Sequence, residues 1–259
     1  MPRLVSARAV SGRAGLGLLG ALLAVGAWQL VAVTGIAPGA GVSPPLDVLR
    51  AAGSMLGEGV LVDLRITVSR VAIGVAVGAL AALPVGFLLA WYPTLRAMFE
   101  PLVNFFRALP PISLVPLVIV ILGIGEGARI SILVYASFFA ALVVLFEGIG
   151  GIDPTLVRAA RVLGANGWEL FTRTVVPASL PHAFTALRVA LGVSWATVVA
   201  AELVAAQRGL GAAIQEAGTF YNIDEMYVGI ALIGLSALVM DLGLKLVQTW
   251  LTRWQEKTA

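Results

Sequence analysis

Between Val71 and Leu95 the chain reads VAIGVAVGALAALPVGFLLAWYPTL, twenty-five residues without a single charge. A helix rises about 1.5 Å per residue, so roughly 20 residues cross the ~30 Å hydrocarbon layer of a bilayer. This run spans on its own. Further uncharged runs cover 14–46, 108–125, 130–146, 189–201 and 226–240. The shorter ones gain the missing turn or two from flanking sequence. The expectation is an all-α membrane protein in one domain over 1–259, with six helices at 14–34, 64–91, 103–123, 128–148, 181–205 and 226–250.

Composition points the same way. The 259 residues are 59% hydrophobic and 12% charged, with a mean hydropathy of +0.98. A soluble domain carries about twice that charged fraction, so lipid must be part of the solvent here. The net charge of +3 does not point to nucleic acid. The basic residues sit in short clusters between neutral runs, without the stripe that a phosphate backbone requires. The absence of cysteine removes disulfide and thiol chemistry.

The charge clusters set an orientation, because basic residues accumulate on the cytoplasmic side. With the N-terminus inside, the inner segments hold Arg3, Arg8, Arg13, Arg96, Arg158, Arg161, Arg173, Arg253 and Lys257. The outer ones hold Arg50, Arg129 and Arg208 among seven acids: Asp47, Glu58, Asp63, Glu126, Glu216, Asp224 and Glu225. Both termini are expected in the cytoplasm. The first apolar run exceeds the h-region of a signal peptide, and Ala37-Pro38-Gly39-Ala40 is a poor cleavage site, so it reads as a retained helix. The segment from Ile36 to Leu61, with Pro38, Pro44 and Pro45, is expected to be an extended outer connection. Another outer loop at 206–225 holds Arg208-Gly209-Leu210-Gly211 and is expected to continue into a short interfacial helix.

No fuel site is visible. A P-loop needs Gly-Lys-Ser/Thr, and the two lysines, Lys245 and Lys257, follow Leu244 and Glu256. Ion coupling favours carboxylates deep in broken helices, and Glu202 is the one acid placed well inside a span. No catalytic constellation is present.

The most informative inner segment runs from Asp153-Pro154-Thr155-Leu156 through Arg158-Ala159-Ala160-Arg161-Val162-Leu163-Gly164-Ala165 to Val176-Pro177. Asp153 is placed to cap a helix with Pro154 at its first position. Leu156, Ala159, Ala160 and Leu163 share one face, and Gly164 is placed to end the helix. A second short helix is expected through Trp168–Thr174. Physically this is an amphipathic surface helix. The spacing of Ala159-Ala160, Gly164, Thr174 and Val176-Pro177 is also similar to the signature loop of ABC importer permeases, with Arg158 in place of the usual Glu and Thr174 in place of an aliphatic residue.

The resemblance extends over nearly the whole chain. Arg107 through Pro110-Pro111 to Pro116-Leu117, the Gly123-Ile124-Gly125-Glu126 segment and Leu187–Leu203 with Arg208–Gly211 resemble the nitrate/sulfonate/taurine branch, above all its taurine and alkanesulfonate permeases. It implies a type I importer permease fold and a bacterial inner-membrane location. It also implies a coupling helix carrying Arg158, Ala159, Ala160, Leu163, Gly164 and Ala165, closed by Val176 and Pro177, that docks on a cytoplasmic ATPase. ATP and Mg would then belong to that partner, with no cofactor in this chain. The remaining implied partners are a second permease copy and a periplasmic or lipid-anchored solute-binding protein. Since Arg158 replaces the glutamate, any ion pair of that glutamate with the ATPase does not carry over.

Candidate pathway residues are Arg107, Ser194, Trp195, Thr197 and Glu202. Arg107 either snorkels to headgroups or faces an anionic solute beside the kinks of Pro110, Pro111 and Pro116. Glu202 either pairs structurally, for instance with Arg208, or shapes a gate or a pocket that could take the ammonium of a zwitterion such as taurine. The lone His182 reads as structural, and Asp241 with Lys245 as a local i, i+4 pair. Gly74, Gly78, Ala81 and Ala82 favour close helix packing. Taurine, an alkanesulfonate, nitrate, or a vitamin or pyrimidine precursor remain open as substrates. An ATP-independent channel or secondary transporter and a passive membrane anchor are the competing classes.

Overall fold

The computed structural model describes residues 4–34 and 41–253, all the secondary structure of which is helical. Arg3, Pro38 and Lys257 lie outside the described residues. The helices are α1 (Leu4–Thr34), α2 (Pro45–Glu58), α3 (Val60–Trp91), α4 (Pro93–Ala108), α5 (Val115–Leu122), α6 (Glu126–Gly150), α7 (Pro154–Val162), α8 (Gly167–Leu170), α9 (Val176–Ala205), α10 (Leu210–Thr219) and α11 (Ile223–Leu251). By length and composition, five helical stretches in the described residues can cross a membrane: Gly15–Thr34, Val60–Trp91, Glu126–Gly150, Gly167–Val204 and Ile223–Leu251. A bent pair of helices, Pro93–Ala108 with Pro111–Leu122, brings the total to six if it counts as one span.

That bend falls at the prolines expected to kink the 103–123 span, but it is a full break and not a kink in one helix. The two parts meet at 84°, joined by a 3-10 turn over Pro111–Leu114. Its cause is chemical. In a continuous helix the Phe106 carbonyl would accept from the amide of residue 110, but Pro110 has none. The Leu109 amide donates to the Phe106 carbonyl instead, at 3.2 Å, and the Tyr135 hydroxyl adds a second bond to it at 2.5 Å. The connection after α1 also differs from expectation. Pro45 at a helix start and Asp47 in the first turn nucleate α2, so 45–58 is helical rather than extended.

The chain divides into two compact units, Met1–Val60 with Ile214–Ile230, and Leu61–Ala213 with Ala231–Ala259. In the first, Trp28 stacks on Tyr227 with ring centroids 5.6 Å apart, and the Tyr227 hydroxyl donates to the Gly41 carbonyl at 3.3 Å. The second holds the main core, where α6 packs along α9. Val71, Val75, Ala79 and Ala82 of α3, Leu133, Leu142, Leu145 and Phe146 of α6, and Ala190, Leu191 and Val198 of α9 are buried together.

Between helices in lipid there is little hydrophobic driving force, so close packing and polar contacts hold the bundle. Gly78 supplies the first. A Cβ there would lie 2.7 Å from both the Val134 carbonyl oxygen and the Ser137 Cβ, so α3 approaches α6 only with glycine at this point. Ser137 and Ser194 supply the second, their buried hydroxyls 2.7 Å apart between α6 and α9. Many aliphatic side chains remain exposed, including Leu80, Val120, Ile121, Leu238 and Leu246, as a lipid-facing surface requires.

Candidate functional site

The 153–177 segment is built by local rules. The Asp153 carboxylate accepts from the Thr155 amide at 2.8 Å, with Pro154 at the first helical position of α7. This bond holds the Asp153 carboxyl below the usual carboxylate range. α7 ends on Gly164, whose φ of 87° is left-handed. The Ala165 amide donates to Ala160 at 3.1 Å and the Gly164 amide to Arg161 at 3.0 Å, the paired bonds of a Schellman cap. Asn166 and Glu169 then close a reciprocal capping box on α8, at 2.9 and 3.2 Å.

The expected second helix does not stop at Thr174. It runs through a π turn, Phe171–Val175, into α9 at Val176-Pro177, so the segment is rigidly continuous with a candidate span. Arg158 and Ala159 are exposed, and Ala160 and Ala165 half-buried. Leu163 and Val162 are each 87% exposed and Trp168 73%. Val162, Leu163 and Trp168 thus form an exposed apolar patch on the capped helices, with the Trp168 ring leaning on Phe171 at 6.1 Å.

A second constellation gathers ionised groups far apart in sequence. Arg70 of α3, only 3% exposed, donates through Nη1 to Glu202 at 2.6 Å and through Nη2 and Nε to Glu126 at 2.5 and 2.7 Å. Glu202 also accepts from the Thr67 hydroxyl at 2.9 Å and the Gly211 amide at 2.8 Å. Arg129 donates to Glu126 at 2.7 Å. The 208–211 loop is bound into the same cluster, because Arg70 also donates to the Arg208 carbonyl at 2.8 Å, and the Gly209 amide donates to Asp63 at 2.9 Å. Both Glu202 oxygens are therefore occupied. Its partner is Arg70, not Arg208, whose guanidinium lies 3.7 Å from Asp63.

The five pathway candidates do not converge. Ser194 is consumed by Ser137, and the Thr197 hydroxyl by the Val193 carbonyl at 2.8 Å. Trp195 is a core side chain, 4% exposed, with its indole N–H unpartnered. Only Arg107 faces open space. It lines a cleft of about 270 Å³ with Tyr135, Phe139, Val143, Val189 and Val193. Asp241 pairs with Arg188 across helices at 2.6 and 2.9 Å rather than with Lys245. The His182 ring packs against Gly148.

Residues 74–257 match the family described as the binding-protein-dependent transport system inner membrane component. The chain belongs to this family of ABC importer permeases. A probable ABC transporter permease protein of Brucella abortus (strain 2308) is 43% identical over 94% of this chain and 96% of its own length. The taurine transport system permease protein of Escherichia coli (strain K12) is 34% identical over 92% and 88%. Among solved structures, the inward-facing MetNI methionine ABC transporter aligns over 76% of this chain and 98% of its own, with a TM-score of 0.68 at 22% identity. The permease has the type I importer fold, and it is a multi-pass inner-membrane protein.

Sequence reasoning missed Arg70 of this permease. The signal was present: an arginine inside the span expected at 64–91 demands a counter-charge, and Glu202 was the one acid placed deep in a span. Tyr135 left no such trace. Its hydroxyl meets the Phe106 carbonyl at the end of α4, 29 residues away in the chain, which spacing alone does not reveal.

Proposed function

We propose that this permease is the membrane-spanning subunit of an ATP-driven importer for a small organic anion or zwitterion of the taurine and alkanesulfonate class. It works as a homodimer on two cytoplasmic ATPase subunits, fed by a periplasmic or lipid-anchored binding protein, with both termini in the cytoplasm. It supplies a path and performs no hydrolysis itself. The observation that carries this reading is the 153–177 segment: an exposed apolar face, fixed caps at each helix start, and direct continuity with α9. Such a lever transmits a push from a docked subunit into a span without being absorbed by a loose loop. Ala159, Ala160 and Gly164 keep its backbone open to close approach by a partner.

The test is reconstitution of the permease with its ATPase and binding protein. Leu163→Asp alters a residue that is 87% exposed, so the subunit should fold normally. Solute-stimulated ATP hydrolysis and uptake should nonetheless fall by about tenfold or more, as for a charge placed in the apolar centre of an interface. Unchanged assembly and turnover would remove the docking role.

A further inference from the structure

We infer that the Arg107 cleft selects an organic monoanion with an uncharged hydrocarbon body, in preference to a zwitterion such as taurine or an inorganic oxyanion such as nitrate. The inference rests on the importer reading and narrows its substrate class. Three observations carry it.

The first is charge. Arg107 is exposed at the last turn of α4, beside the 84° break, and among the described residues no carboxylate pairs with it. An unpaired guanidinium in a membrane protein is costly unless it meets water or an anion, and its planar fork of donors suits a sulfonate or carboxylate. The second is what the walls lack. None of the residues lining the cleft is acidic. Glu202, the acid that could have met an ammonium, is committed to Arg70, Thr67 and Gly211. The Tyr135 hydroxyl hydrogen is committed to the Phe106 carbonyl. An ammonium entering here would lose water and find no counter-charge.

The third is size and lining. A cleft of about 270 Å³ is many times the room a single water needs, enough for a short alkyl chain with its head group. Phe139, Val143, Val189 and Val193 offer that chain an apolar wall. Nitrate, small and hydrated all round, gains nothing from it.

The experiment is ligand binding to the full-length permease in lipid nanodiscs, by calorimetry, with butanesulfonate, taurine and nitrate as probes. Butanesulfonate should bind about tenfold or more tightly than either competitor, the scale of one unmatched charge for taurine and of about two buried methylenes for nitrate. Arg107→Gln should abolish this binding, and Arg107→Lys should retain part of it. Val189→Glu, which adds the missing carboxylate on an exposed wall position, should bring taurine level with butanesulfonate or ahead of it. Taurine or nitrate binding as tightly as butanesulfonate, no binding of any probe, or binding indifferent to Arg107→Gln would each overturn the inference. ATP-driven uptake by the complete importer separates the two levels. If it persists while the preference fails, the importer reading stands and the cleft assignment falls; if uptake never depends on ATP, the importer reading itself fails.

Discussion

Arg70 and Glu202 each give up hydration on folding, and a bilayer offers neither of them water when its partner is removed. Arg70→Met leaves Glu202 with only the Thr67 hydroxyl and the Gly211 amide, and leaves Glu126 with Arg129. The loss should be about 3–5 kcal/mol, the scale for an uncompensated buried charge, seen as a lower melting temperature of the purified protein. The double variant Arg70→Met/Glu202→Met should lose less than the two single variants summed. Strict additivity would mean that the pair does not interact. Asp153 offers a milder case on the surface. Its folded pKa is depressed by the bond from the Thr155 amide. The cap therefore contributes stability above the unfolded pKa, near 4, and loses it as pH falls through the folded value. Hydrogen-exchange protection of the first turn of α7 should drop in that window. Asp153→Asn, which caps without a charge, should make protection independent of pH there.

At the scale of elements, backbone approach decides which helices meet. Gly78 is where α3 touches α6, and a methyl group would meet a carbonyl oxygen and a side chain at 2.7 Å. Neither can retreat, since Val134 and Ser137 are themselves held in α6. Gly78→Ala should therefore cost about 1–3 kcal/mol, the usual range for overpacking, although alanine is the better helix former. A thermal melt that rose instead would show that the two helices can separate freely. The broken pair of α4 and α5 obeys a different constraint. Prolines at 110, 111 and 116 remove amides, and the chain turns after the Phe106 carbonyl takes the Leu109 amide and the Tyr135 hydroxyl as its donors. The turn places Arg107 at the cleft.

For the whole molecule, the proposed topology sets the 153–177 segment and the 208–211 loop on opposite sides of the membrane. The chain has no native cysteine, so single-cysteine variants report cleanly on access. Arg161→Cys and Gln207→Cys both replace exposed residues. A membrane-impermeant maleimide should label the first only from the cytoplasmic side and the second only from outside. Labelling of both from the same face would exclude the topology.

Hydropathy and charge placement determined a great deal unaided: an all-helical membrane protein, the spans to within a few residues for α3 and α6, and the capped helix at Asp153-Pro154 with its glycine stop at 164. These features rest on local rules, in which a residue and its near neighbours suffice. The family was legible for the same reason, because its motif is a short spacing within one segment. What only the tertiary structure decided is which polar groups meet. Arg70 and Glu202 lie 132 residues apart, and Arg188 and Asp241 lie 53 apart. Their pairing depends on which helix faces pack together. So Glu202, which the sequence left between a structural pair and a gate or solute pocket, became the anchor of the 208–211 loop through Arg70 and Gly211, and Arg107, one of five candidates, kept an open cleft before it.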